Sequence, residues 1–371
     1  MSSVSSSPLY LGNNLRELSP HKFGGTQENY LKLSNETIQK AVDCIKRTEE
    51  KAKDLFSRVF DLFTETRKQI AKEQGDANYE HFGKIRTIES AALSSTPCLA
   101  EYEFTGNALK NGIIKDLITE LLAGKKAEKG DFNCRIKARF SIIPDENKTM
   151  ALMPKAKLND EQARSVEELK TTDPERYQQI RDYYSASAYQ LTMYSLSHKA
   201  HGPFNFSNTL RIFDLPQDSK VRMLAISVAI SVENKILQIG EFITLYRGEI
   251  PANLTDFVQI NHMHAENMVP MLNNIADIFL QIVTAKEIDA KKLKLDLAEF
   301  RYKFAYCMPC LNGSAAIAEW FEVTLAAYHN YKVQLAGDTH IDLMAFRNPY
   351  YPDFTTSYEQ KVQLSPKEIS L

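Results

Sequence analysis

The sequence predicts an α+β fold dominated by helix, with a helical amino-terminal part and a mixed α/β carboxy-terminal part. Apolar residues recur every three or four positions over long stretches, whereas strict alternation is confined to a few short ones. With 371 residues, 43% hydrophobic and 25% charged, the chain is long enough for two globular domains. We predict a disordered leader at 1–30, a mainly helical domain at 31–195 with a β-hairpin near 134–153, and a candidate catalytic domain at 196–371.

The first predicted helices follow the leader, which is rich in serine, glycine and asparagine. Asn35 is a favourable N-cap, and the periodic apolar residues from Ile38 to Ile70 predict one long amphipathic helix or a helix pair. A second helical block is predicted over Ala108–Ala123, with Gly124 as its end signal. Alternation after Cys134 and a Pro-Asp-Glu-Asn turn predict the hairpin.

The second half of the chain is predicted to be mostly helical, with one strand before the candidate site. The remaining predicted elements are a linker or exposed helix at 154–175, helices at 176–196 and from Asp218 and Ser219 to Ile239, a strand at 241–249, one or two helices at 253–283, helices at 286–306 and from Asn312 or Ser314 to Tyr331, and a loosely packed tail from Phe346.

The overall charge and the apolar runs exclude some classes of function. A net charge of −2 supplies no basic excess, so we expect no nucleic-acid partner. Apolar runs are interrupted well short of the roughly 20 residues that span a bilayer, and we therefore predict no integral membrane segment. The amino terminus lacks the pattern of a secretory signal, and the cysteine count of 5 is odd, so we expect a soluble protein with reduced thiols.

His262 and Glu266 are the most distinctive candidate residues. If their segment is helical, they lie four residues apart on one face, where the carboxylate can orient the imidazole for proton transfer. An exposed helical ion pair is the alternative explanation. His264 points elsewhere on such a helix and no HExxH motif occurs, so we predict no metal site.

Arg247 and Gly248 form a second candidate, at the end of the predicted strand. The glycine allows a ligand to approach the backbone, and the guanidinium suits a phosphate or carboxylate. A surface ion pair at a strand end is the alternative. We expect Arg247, His262 and Glu266 to converge on one cleft.

Cys307 and Cys310 form a CxxC motif that is typical of redox or metal sites. No second CxxC accompanies it, and position 316 is alanine, which excludes the Cys-x5-Arg motif of phosphatases. Packing at the start of the following helix is the favoured interpretation, with anion binding by Ser314 and free amides as the alternative.

The string Leu245-Tyr246-Arg247-Gly248 resembles the first catalytic strand of arginine-type ADP-ribosyltransferases. That family also needs a Ser-Thr-Ser strand and a Glu-x-Glu turn. Thr355-Thr356-Ser357 is a loose counterpart of the former, and no Glu-x-Glu follows it.

The arginine-glycine pair followed by His262-x-x-x-Glu266 also resembles the Ser-HxxxE signature of the LnaB-like bacterial effectors of Legionella and its relatives. The resemblance extends from Ser207 to Pro270. Ser207 and Ser219 are both candidates for the signature serine, whereas Ser227 and Ser231 are expected inside a packed helix.

This resemblance implies an actin-activated nucleotidyltransferase that AMPylates an acceptor or cleaves ATP to AMP at the α-phosphate. It implies that His262 is a general base or phosphate contact, that Glu266 fixes its tautomer, and that Arg247 stabilises negative charge. The chain would then be a secreted virulence effector delivered into the host cytosol, with ATP as substrate and host actin or another host protein as partner. If it is not an effector, we expect a cytoplasmic location. No residue pattern indicates Mg²⁺.

Two other functions stay open. One is mono-ADP-ribosyl transfer from NAD with Arg247 on the nicotinamide nucleotide, and the other is a non-catalytic helical interaction protein.

Overall fold

We describe the fold from a computed structural model of the chain. The described residues are 27–49, 52–76, 79–87, 95–97, 113–131, 133–142, 151–154, 170–171, 174, 189–194, 203–204, 221–247, 259–263, 265–336 and 340–367. Most of the predicted leader lies outside them. Among them the fold is α+β and helix-dominated, as predicted.

Two amino-terminal helices, α1 (Gln27–Arg47) and α2 (Lys53–Glu73), confirm the helix-pair interpretation. The first helix begins before the predicted N-cap. Asn35 lies inside α1, where its Nδ2 atom donates a hydrogen bond to the Leu31 carbonyl oxygen at 2.9 Å. Helix α3 (Ile113–Leu122) lies within the predicted block, and Gly124 follows it with a φ of +70°.

The carboxy-terminal helices supply most of the core. They are α4 (Ala265–Thr284), α5 (Ala290–Cys307), α6 (Ser314–Tyr328), α7 (Ile341–Arg347) and α8 (Tyr351–Lys361). Phe321 of α6 lies at the centre of an aromatic cluster, and burial of such rings is a major source of stability. Six phenylalanine rings have centroids 4.8 to 6.3 Å from that of Phe321: Phe56, Phe60, Phe63, Phe279, Phe300 and Phe304.

A six-stranded antiparallel sheet packs with these helices, in the order β1-β9-β8-β7-β3-β2. Its strands are β1 (Ser95–Pro97), β2 (Glu128–Gly130), β3 (Cys134–Ile142), β7 (Val221–Val232), β8 (Lys235–Arg247) and β9 (Gln259–His262). Position 195 is the predicted boundary between the helical domain and the candidate catalytic domain. The sheet and the apolar core both include residues from each side of this boundary.

The long helix predicted up to Ile239 is wrong, because β7 and β8 form a hairpin there. Buried Ile226, Val228 and Ile230 alternate with less buried residues, a period of two that suits a strand. Glu233 and Asn234 have φ angles of 49° and 63°, the backbone that a two-residue hairpin turn requires.

The hairpin predicted at 134–153 is also wrong. Strand β3 pairs with β2 and β7, whereas β4 (Ala151–Pro154) pairs with β5 (Tyr189–Tyr194), and β5 pairs with β6 (Pro203–Phe204). Strand β5 also replaces part of the helix predicted at 176–196. Side-chain alternation indicates a strand but does not identify its partner.

The tail is well packed, contrary to prediction. Phe354 and Tyr358 of α8 are completely buried, and β11 (Val362–Pro366) pairs with β10 (Tyr331–Leu335). None of the helices in the described ranges combines the length and apolarity that a membrane crossing needs.

Candidate functional site

His262 is the last residue of β9, and α4 begins at Ala265. The two candidate residues therefore do not share one helical face, and that premise of the prediction is wrong. Glu266 is the second residue of α4, in the first turn, where an acidic residue stabilises the helix dipole. The side chain of Glu266 lies outside the described residues, so the proton-transfer pair stays a prediction.

The imidazole of His262 is buried, with 6% of the residue exposed. Its ring centroid lies 5.4 Å from that of Phe346 in α7. Burial, and then the positive charge of Arg86, lower the pKa of His262 from 6.5 to about 3. The imidazole is therefore neutral at physiological pH.

Arg86 connects Met263, the residue that follows β9, to the end of α5. Its Nε atom donates a 2.6 Å hydrogen bond to the Met308 carbonyl oxygen, and its Nη2 atom donates to the carbonyl oxygens of Cys307 at 2.6 Å and Met263 at 3.0 Å. The last carbonyl groups of a helix lack partners within the helix, and Arg86 satisfies two of them. Sequence reasoning missed Arg86, because no local motif surrounds it.

Arg247 lies at the far end of β8, beyond the segment from Gly240 to Ile243 that pairs with β9. His262 faces Gly240, and Arg247 is the last residue of β8, where it faces Val221. From Gly240 to Arg247 the strand advances about 23 Å at about 3.3 Å per residue. One pocket does not accommodate both backbones, so the expected convergence of Arg247 with His262 is wrong.

Three other predicted site residues lie outside the described residues, namely Gly248, Ser207 and Ser219. Ser227 and Ser231, expected in a helix, lie in strand β7. The Oγ atom of Ser227 donates to Oε1 of Glu241 at 3.2 Å, so this serine has a structural partner.

The CxxC motif is buried at the junction between α5 and α6. Burial raises the pKa of Cys307 and of Cys310 to about 12, so both thiols are protonated at neutral pH. The Cys310 amide donates to Ser314 Oγ at 2.9 Å, which matches the predicted packing at a helix start. Within the described part of the chain, no group of three or more His, Cys, Asp or Glu residues is arranged to hold a metal ion.

A buried ionic cluster joins four helices away from His262. Arg301 of α5 lies 3.6 Å from a Glu322 oxygen of α6 and 3.4 Å from an Asp342 oxygen of α7. The Tyr358 hydroxyl of α8 donates to the other Glu322 oxygen. Burial raises the pKa of Glu322 and of Asp342, and Arg301 opposes the rise. Sequence reasoning missed this cluster, because charged residues on helices usually face solvent.

Comparison with known proteins adds no family assignment. Neither a model of a known protein family nor a curated protein sequence matches this chain. The resemblance to LnaB-like effectors therefore depends on the quoted motif alone.

Proposed function

We propose that this chain is a nucleotidyltransferase that transfers AMP from ATP, or hydrolyses ATP to AMP, at the β9–α4 junction. The supporting observation is the position of His262, a neutral imidazole at the end of a strand directly before the amino terminus of a 20-residue helix. The first amides of such a helix attract the negative charge of a phosphate. Glu266, in the first turn, is the nearest carboxylate along the chain to the imidazole.

The proposed chemistry needs a base that becomes stronger when substrate binds. In the free protein, a pKa of about 3 makes His262 a weak base. A phosphate chain beside the ring would favour the imidazolium and raise this pKa, since opposite charge stabilises the protonated form. His262 would then accept a proton from the attacking hydroxyl or water while pyrophosphate leaves the α-phosphorus.

The first test uses the full chain with ATP labelled at the α-phosphate, with and without actin. We expect free AMP or AMP-modified protein, with more product when actin is present. His262→Ala should lower the turnover rate by about 100-fold or more, the usual contribution of a general base. His81→Ala, a change at a less buried histidine, is the matched control and should keep full activity.

Absence of nucleotide turnover with and without actin would contradict the proposal, as would full activity of His262→Ala. Because His262 is buried, thermal unfolding of each variant must be measured beside the activity. A folded but inactive His262→Asn protein would separate loss of chemistry from loss of structure.

A non-catalytic interaction protein is the second candidate, and the burial of His262 against Phe346 favours it. A buried neutral histidine beside an aromatic ring is an ordinary core arrangement. Unchanged function after replacement of both His262 and Arg247 would support this alternative.

ADP-ribosyl transfer depends on Arg247, at the other end of β8, and on Gly248, the next residue in the sequence. It is tested with NAD in place of ATP. Release of nicotinamide would favour that activity over AMP transfer.

A further inference from the structure

Arg86 carries a buried positive charge that no carboxylate among the described side chains offsets. Only 3% of the residue is exposed, and among the residues that the structure describes no acidic side chain forms an ion pair with it. Its three hydrogen bonds all end on backbone carbonyl oxygens, which carry partial charge only. A buried full charge without an opposite charge is costly, which indicates a place for an anion.

One nitrogen of this guanidinium is unused. Nη1 of Arg86 is buried and has no hydrogen-bond partner within the described residues. The other terminal nitrogen, Nη2, donates to the carbonyl oxygen of Met263, two residues before α4. The guanidinium therefore lies at the amino terminus of α4, where free amides and the helix dipole also favour negative charge.

We propose that Arg86 is a phosphate-binding residue at the β9–α4 junction. It supplies the fixed positive charge that the sequence had suggested for Arg247. The identification of the ligand as the phosphate chain of a nucleotide rests on the function proposed above. Nη1 donates to a phosphate oxygen, while Nε and Nη2 keep the guanidinium in place through Met308, Cys307 and Met263.

The test measures binding of inorganic pyrophosphate and of ATP by calorimetry to the full chain and two variants. Arg86→Gln removes the charge and should weaken binding of both ligands by about tenfold or more, the loss expected for a charge-assisted hydrogen bond. Lys84→Met removes an exposed charge two residues away and should leave both affinities within about twofold, because exposed charges are screened.

Equal pyrophosphate affinity in Arg86→Gln and the unaltered protein would overturn the inference and leave Arg86 as a structural clamp on α5. Pyrophosphate binding that depends on Arg86, without any AMP formation, would support the site and reject the enzymatic proposal. AMP formation together with an unchanged ATP affinity in Arg86→Gln would support the enzymatic proposal and reject Arg86 as the phosphate-binding residue.

If Arg86→Gln fails to fold because the end of α5 is released, hydrogen exchange of the unaltered protein decides the question. Slower exchange at residues 84–87 and in the first turn of α4 on addition of pyrophosphate would support the inference. Slower exchange only at other segments would overturn it.

Discussion

Arg301 and Glu322 form a salt bridge inside the protein, with Nη1 and Oε2 3.6 Å apart and each side chain only 1% exposed. Asp342 and Tyr358 complete the arrangement, so that one guanidinium connects α5, α6, α7 and α8. The tail from Phe346, for which the sequence predicted loose packing, is fixed partly by these contacts.

Removing Arg301 should destabilise the fold strongly. Arg301→Met leaves Glu322 buried without its cation, and we expect a loss of about 3–5 kcal/mol in the free energy of unfolding measured with urea. Arg58→Met is the matched control, because Arg58 pairs with Asp54 at 3.4 Å on an exposed surface. The control should change stability by less than about 1 kcal/mol. Equal effects of the two changes would contradict a structural role of the cluster.

His262 should make the protein sensitive to mild acid. Its pKa is about 3 in the folded protein and about 6.5 when unfolded, so the unfolded state binds a proton first as the pH falls. The stabilisation is complete above pH 6.5 and decreases toward pH 3. Urea unfolding from pH 7.5 to 4.5 should therefore show a steeper fall for the unaltered protein than for His262→Asn. Parallel curves would disprove a low pKa at this residue.

The cysteines should differ in reactivity toward alkylation. Burial keeps Cys307 and Cys310 protonated and covered, so iodoacetamide should leave them unlabelled in the native protein at pH 8. Cys44 is less buried and should be labelled faster, as measured by mass spectrometry of each cysteine peptide. All three should react in denaturant. Rapid native labelling of Cys307 would show that the α5–α6 junction opens readily.

Gly313 should not tolerate a side chain. Its φ is +89°, and a Cβ atom there would lie 2.7 Å from Cγ of Arg67. Gly313→Ala therefore combines backbone strain with a clash, and we expect a loss of about 2–4 kcal/mol in unfolding free energy. Gly75→Ala separates the two effects, because Gly75 has a φ of +73° and nothing within 4 Å of the added Cβ atom. Gly75→Ala should lower the free energy of unfolding by about 1 kcal/mol. Equal costs would mean that Arg67 moves aside freely.

The sequence was sufficient for the fold class and for the helices with strong apolar periodicity. Helices α5 and α6 lie close to their predicted ranges and are buried on most sides. Helix α2 lies in the segment predicted as a long helix or a helix pair, and it buries one regular face in the core. Residues 218–239 were wrongly predicted as a helix because Asp218 and Ser219 resemble a helix cap. The alternation from Ile226 to Val232 indicates a strand instead. Local capping signals are weaker than burial against the rest of a sheet.

The candidate site was harder to predict because its contacts join distant parts of the chain. Arg86 contacts residues 263, 307 and 308, and no pattern near residue 86 indicates these partners. Arg247 was placed with His262 because the two are close in sequence. An extended strand separates them, since each residue adds about 3.3 Å.

The sheet also suggests an order of folding. Only Glu233 and Asn234 separate β7 from β8 along the chain, whereas residues 143–220 separate β3 from β7. Closing a long loop costs more entropy than closing a turn, so the hairpin should form first and β3 should join it late. Substitutions in the two-residue turn should then slow the folding rate, and substitutions along β3 should mainly accelerate unfolding.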